Sequence, residues 1–163
     1  MKLDRKKKLL MWTILIVALV QMPALALTPA INLIQTQVFP EHTLAEVQTA
    51  LAWTNLVSPV VSIIVAFFIN RGLFTKKGVV ITGLLLLSLT GFLAVLFHTE
   101  FWNLSLLRVV LGIATGCYVT NAFGLVFDNY NDRERQIIAG YQTSCINLGG
   151  ISMSLLGGVL ATA

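Results

Sequence analysis

Residues 104–122 read LSLLRVVLGIATGCYVTNA. The stretch is apolar enough to cross a bilayer, yet it carries Arg108 near one end. A charge at the centre of a spanning helix costs about 2.5–3.5 kcal/mol on insertion scales, so an intramembrane arginine marks a functional candidate. Gly112 and Gly116 follow at steps of four, a spacing that lets a neighbouring helix come close. No other Lys, Arg, Asp or Glu lies inside a long apolar segment of the chain.

Working outward, the flanking segments repeat the pattern. The chain has 163 residues, of which 56% are hydrophobic and only 11% charged, and its mean hydropathy is +0.83. A soluble domain carries about 25% charged residues, so the composition points to a membrane protein. Apolar runs and the polar breaks between them predict spanning helices over residues 9–34, 44–69, 79–97, 102–127 and 137–160. They form one all-α bundle, residues 9–163, behind a basic N-terminus, residues 1–8. A basic start before an apolar run also describes a signal peptide. The first run is about spanning length and continues through Thr28, Pro29 and Ile31, which favours a retained helix. Thr43 and Glu46 have capping-box spacing and mark the start of the second helix.

The basic residues sort by side. Lys2, Arg5, Lys6, Lys7 and Lys8 precede the first run. Arg71, Lys76 and Lys77 lie in the second connection, and Arg133 and Arg135 in the fourth. The first and third connections hold Glu41, Glu46, Glu100, His42 and His98, with no Lys or Arg. This is a positive-inside split, placing the N-terminus in the cytoplasm and the C-terminal end, as given, outside. The net charge of +4 therefore reflects topology, and no aromatic-laced basic patch suggests nucleic acid as a partner.

Polar side chains inside the runs mark the faces turned to water or to neighbours. Gln21, Thr28, Asn32 and Gln35 recur at helical steps in the first run. Asn55, Ser58 and Ser62 do the same in the second, and Thr115 lies seven residues after Arg108. Helix three, with only Thr82, Ser88 and Thr90, is expected to face lipid. Gly140, Gly149, Gly150, Gly157 and Gly158 make the fifth run a close-packing helix. Cys117 and Cys145 read as small buried hydrophobes, and His42 and His98 as solvated loop residues. No catalytic triad, paired carboxylates, phosphate loop or metal-ligand cluster is present in the sequence, so neither an enzyme nor a cofactor or metal is expected.

These residues resemble the N-terminal half of the major facilitator superfamily, and within it bacterial proton-coupled efflux members. LLRVVLGIATG, residues 106–116, is similar to the family's fourth-helix motif, with Leu111 where Gln is common. DNYNDRER, residues 128–135, resembles the cytoplasmic loop that follows, with six residues between Asp128 and Arg135. NLGGISMSLLGGVLA, residues 147–161, resembles the glycine-rich fifth helix of efflux members, with Met153-Ser154 in place of Gly-Pro. ALTPAINLIQTQVFPEHTLAEVQ, residues 26–48, is similar to the end of helix one and the start of helix two. The second connection departs from the family signature, having Asn70-Arg71 where an Asp-Arg pair is usual.

The resemblance implies small-molecule transport by alternating access, proton-coupled and outward, in the plasma membrane. Arg108 inherits a part in proton coupling, with Gln21, Thr28, Asn32, Asn55 and Thr115 along a substrate cavity. Gly112, Gly116, Gly149, Gly157 and Gly158 take helix packing and gating. Arg71, Lys76, Lys77, Asp128 and Arg135 form a cytoplasmic latch. The family has twelve helices in two halves, so five helices are expected to be a fragment that a missing C-terminal half completes. The lipid bilayer, a small-molecule substrate and protons are the implied partners. The competing expectations are a free-standing five-helix partner or assembly subunit, and an importer of sugars or other nutrients.

Overall fold

The computed structural model describes residues 4–97 and 100–162. His98 lies outside the described residues. Five long helices emerge: α1 (Arg5–Leu19), α2 (Leu44–Asn70), α3 (Lys76–Leu96), α4 (Phe101–Asn129) and α5 (Asp132–Thr162). Counting the irregular continuation of α1 to Val38, all five are long and apolar enough to cross a membrane. No strand occurs among the described residues.

The first span departs from the single helix expected over residues 9–34. Regular α-helix stops at Leu19, and a 3-10 segment runs Pro23–Ala30. A single α-turn, Ile31–Leu33, and a π-helical turn, Ile34–Val38, complete it. The cause is local. Pro23 has no N–H to give to the carbonyls of Leu19 or Val20, and Pro29 has none for those of Leu25 or Ala26. Each freed carbonyl meets another helix. The Tyr118 hydroxyl donates to Val20 O at 2.8 Å, and Ser154 Oγ donates to Leu25 O at 3.4 Å. Gly149 lies against Leu19 O and Gly157 against Ala26 O. Irregular helical backbone of this kind is tolerated in a membrane only where neighbours satisfy it.

Caps set the other boundaries. The Thr43–Glu46 box is formed, with Thr43 N donating to Glu46 Oε2 at 2.8 Å and Glu46 N to Thr43 Oγ1 at 3.3 Å. Thr75 accepts from Gly78 N and starts α3 at Lys76, ahead of the expected residue 79. α5 begins at Asp132, so residues 132–136 are helix where the sequence suggests a loop. Glu134 reaches back to Asn131 N at 3.2 Å, and acids in a first turn complement the helix dipole. Polarity there means that the helix projects beyond the hydrocarbon, not that it stops.

Residue pairs give the topology. Thr54 meets Arg108 and Ser62 meets Gly116, so α2 runs parallel to α4. Gly83 packs at Cys117 and Lys76 at Asp128, so α3 is antiparallel to α4. Ile14 packs with Ile138 and Leu19 with Gly149, so α1 is parallel to α5. α4 is therefore the central strut. Its buried face carries Leu111, Ala114, Thr115, Tyr118, Ala122 and Val126. The outer face of α3, with Leu85, Leu89, Phe92 and Val95, is exposed in the manner of a lipid-facing surface.

Candidate transport site

The seam between α2 and α4 is where the glycine pair acts. A Cβ at Gly112 would meet Val57 Cβ at 2.8 Å, and one at Gly116 would meet Ser58 O at 2.6 Å. Only hydrogen fits at these points, so backbones approach closely and hydroxyls bridge them. Thr54 Oγ1 donates to Arg108 O at 3.0 Å, Ser62 Oγ to Gly116 O at 2.9 Å, and Thr120 Oγ1 to Ser62 Oγ at 3.1 Å. Gly158 sits looser, with the ring of Pro29 at 3.8–3.9 Å.

Beside this seam a cavity of about 500 Å³ opens between the kinked first span, α2 and α4. Gln21, Thr28, Gln48, Thr54, Asn55, Ser58 and Thr115 face it among apolar neighbours such as Met22 and Leu51. Every polar group there is uncharged. Gln21 is 6% exposed, and neither its amide nitrogen nor its oxygen has a hydrogen-bond partner among the described residues. Buried amides are satisfied in the large majority of structures, so this one is an open valence in the wall. Gln142, fully buried in α5, is in the same condition.

The cavity unites Gln21, Thr28, Asn55 and Thr115 from the sequence reading, but not Asn32 or Arg108. Asn32 is exposed, and its carbonyl accepts from Thr36. The four-residue stripe of the first run is lost because a 3-10 segment has about 3.0 residues per turn, which rotates everything after Pro23 off the α-helical period. Gln35, the last of that stripe, donates to His42 O instead.

Arg108 is 7% exposed and faces the bundle. Among the described residues no carboxylate or hydrogen-bond acceptor serves its guanidinium. Its link to the cavity runs through its own backbone, since the carbonyl accepts from the wall residue Thr54. Gln48 and Thr54 were missed from sequence. Gln48 stands seven residues before Asn55, a readable helical repeat, whereas Thr54 offers no signal apart from its neighbour Asn55.

At the basic end of the bundle, Lys76 Nζ pairs with Asp128 at 2.7 Å, its stem lying over Gly124. Lys7 pairs with Glu134 at 3.1 Å, and Arg135 with Asp132 at 2.8 Å. The Tyr130 hydroxyl donates to Lys7 O at 2.6 Å, tying the N-terminus to the end of α4. Arg71 stacks over Phe67 at 4.2 Å, and among the described residues neither it nor Lys77 pairs with an acid. The loop candidates thus form separate contacts rather than one cluster. At the opposite end His42 is not simply solvated: it stacks on Phe101 at 4.0 Å, with Glu46 at 3.4 Å.

The family model described as Major Facilitator Superfamily matches residues 9–163. No curated protein and no solved structure matches the chain.

Proposed function

The chain belongs to the major facilitator superfamily, and on that premise we propose proton-coupled export of a small molecule by alternating access. The family is one of transporters rather than enzymes, its members carry small molecules across membranes, and this chain is a multi-pass membrane protein. The observation that supports a transport role for this wall is the cavity itself. It lies between helices that meet at glycine contacts, and it presents hydrogen-bonding groups to a volume of about 500 Å³. In this reading Arg108 is the coupling charge. A buried cation stabilises a nearby carboxylate or an anionic solute and releases it when the surroundings rearrange. The N-terminus is cytoplasmic, the membrane is the plasma membrane, and the basic contacts around Lys76, Asp128 and Arg135 hold the inner side closed.

A second reading, uptake of a neutral hydroxyl-bearing solute, is favoured by one observation: no charged group lines the cavity among the described residues. Inside-out vesicles from cells carrying the gene separate the two. With a respiratory proton gradient and a pH-sensitive dye, export predicts that substrate collapses the gradient. Arg108→Ala is expected to abolish this while the protein inserts in normal amount. Unchanged coupled transport in Arg108→Ala refutes the coupling role, and solute movement without proton movement favours uptake of a neutral solute. Maleimide labelling of Lys6→Cys from the cytoplasm and of Glu41→Cys from outside tests the orientation.

A further inference from the structure

At the end of the bundle away from the basic residues, three rings join three elements. Phe39, where the first span ends, is 6% exposed and sets its ring edge-on to Phe101, the first residue of α4, at 5.6 Å. His42, between the first span and α2, stacks on the same Phe101 ring at 4.0 Å and 20°. The His42 carbonyl accepts from Gln35 Nε2 at 3.1 Å, which ties the loop back to the first span. Further in, Tyr118 of α4 reaches Val20 of the first span. Phe101 and Tyr118 are separated by about 25 Å of helix at about 1.5 Å per residue, and the cavity of about 500 Å³ opens between these two contacts.

The charges at this end are one-sided. His42 Nδ1 stands 3.4 Å from Glu46 Oε2, the oxygen that also accepts from Thr43 N and Thr43 Oγ1 in the cap of α2. Glu41 lines the same recess as His42 and Phe101, and Glu100 directly precedes Phe101. Neither connection at this end carries Lys or Arg. The positive ends of the α2 and α4 dipoles oppose a cation here, each as about half a charge, against three carboxylates. His42 is partly exposed, so water reaches it. Histidine is the side chain that changes charge between about pH 5 and 8. Neutral, His42 offers Glu46 at most one N–H. Protonated, it brings a full charge to that carboxylate and a cation to the face of the Phe101 ring. Protonation therefore strengthens the two contacts that join this loop to α2 and to α4.

We propose that His42 is a proton-operated clasp. Protonated, it fastens the loop after the first span to the first turns of α2 and α4; neutral, it loosens them. With the N-terminus inside, acid outside closes this end of the bundle. An exporter that takes up external protons moves in that direction after releasing its load. This consequence rests on the proposed function, whereas the clasp itself rests only on the contacts of His42.

The test is labelling of Val47→Cys by an impermeant maleimide, in right-side-out vesicles and a Cys117→Ala/Cys145→Ala background. Val47 is fully buried one residue after Glu46. His42 and Val47 flank the Thr43 cap at the two positions that commonly pack together at a helix start, so opening of the clasp uncovers Val47. Trp102→Cys, at an exposed position, is the reference for reagent chemistry and for the side. Relative to it, Val47→Cys should label about fivefold more slowly at about pH 5.5 than at about pH 8, a factor equal to about 1 kcal/mol. His42→Phe keeps a ring on Phe101 without a proton and should bring the ratio to about one. Glu46→Gln keeps a capping residue but removes the counter-charge, and should lower the ratio. His98→Gln should leave it unchanged. Equal labelling at both pH values with His42 intact overturns the clasp. So does an unchanged ratio in His42→Phe or Glu46→Gln, or loss of the ratio in His98→Gln. Labelling of Trp102→Cys only in inside-out vesicles would refute the proposed orientation instead, and the same ratio read from that side would still support the clasp.

Discussion

Replacing Gly116 by Ala adds one methyl group at the tightest point of the α2–α4 seam. The new Cβ would stand 2.6 Å from Ser58 O and 2.8 Å from Val61 Cβ. Ser58 O belongs to a helix backbone and cannot swing away as a side-chain end does. Restoring ordinary contact at 3.4 Å therefore moves α2 outward by about 0.8 Å. A gap of that size forfeits a quarter to a half of the dispersion energy along the affected seam. It also stretches the 2.9 Å bond from Ser62 to Gly116 O. Overpacking of this kind costs about 1–3 kcal/mol. Reversible unfolding in mixed micelles measures it directly. Cross-linking of a Ser62→Cys/Thr120→Cys pair, whose native hydroxyls are 3.1 Å apart, reports the separation. Gly91→Ala and Gly140→Ala are the controls, because a Cβ there meets nothing within 4 Å. Alanine is the better helix former by up to about 1 kcal/mol, so these two should be neutral or stabilising. If Gly116→Ala is as stable as wild type, or if Gly91→Ala loses as much, close packing at this seam is not what the glycine serves.

Three further outcomes are expected. Tyr118→Phe leaves the Val20 carbonyl without its donor and should cost about 0.6–1.7 kcal/mol, the range for hydrogen bonds between membrane helices, in the same unfolding assay. Arg108→Met keeps volume while removing a buried charge with no acid beside it, so stability should rise by on the order of 1–3 kcal/mol as coupled transport falls. A drop in stability would mean that the guanidinium has a partner in the working state. Lys76→Gln breaks a half-exposed ion pair and should change stability by no more than about 1 kcal/mol. A larger loss would show that the Lys76–Asp128 contact acts as a latch rather than as a surface pair.

Features that rest on neighbouring residues were legible without coordinates. The Thr43–Glu46 box needs only a hydroxyl, a carboxylate and three positions, and it forms as read. The glycine steps in 112–116 and 149–157 mark the faces where α4 meets α2 and α5 meets the first span. The break after Leu19 was harder. Pro23 and Pro29 advertise lost hydrogen bonds, but a proline alone does not say whether a helix kinks or rewinds. That choice depended on Tyr118 and Ser154, far away in sequence, reaching the freed carbonyls. The polar stretch 132–136 misled because charge signals distance from hydrocarbon, and a helix can continue into water.

By itself the sequence determined the membrane class, the number and order of spans and the sorting of basic residues, since hydropathy and charge act residue by residue against a bilayer. The tertiary structure decided which polar groups share a space. Gln21, Thr28, Asn55 and Thr115 converge on one cavity, while Asn32 turns away and Arg108 touches its wall only through a carbonyl. That selection follows from how far a 3-10 segment rotates the first span and how closely two glycines let α2 approach α4. Both are distances between helices, which no periodicity within a single helix encodes.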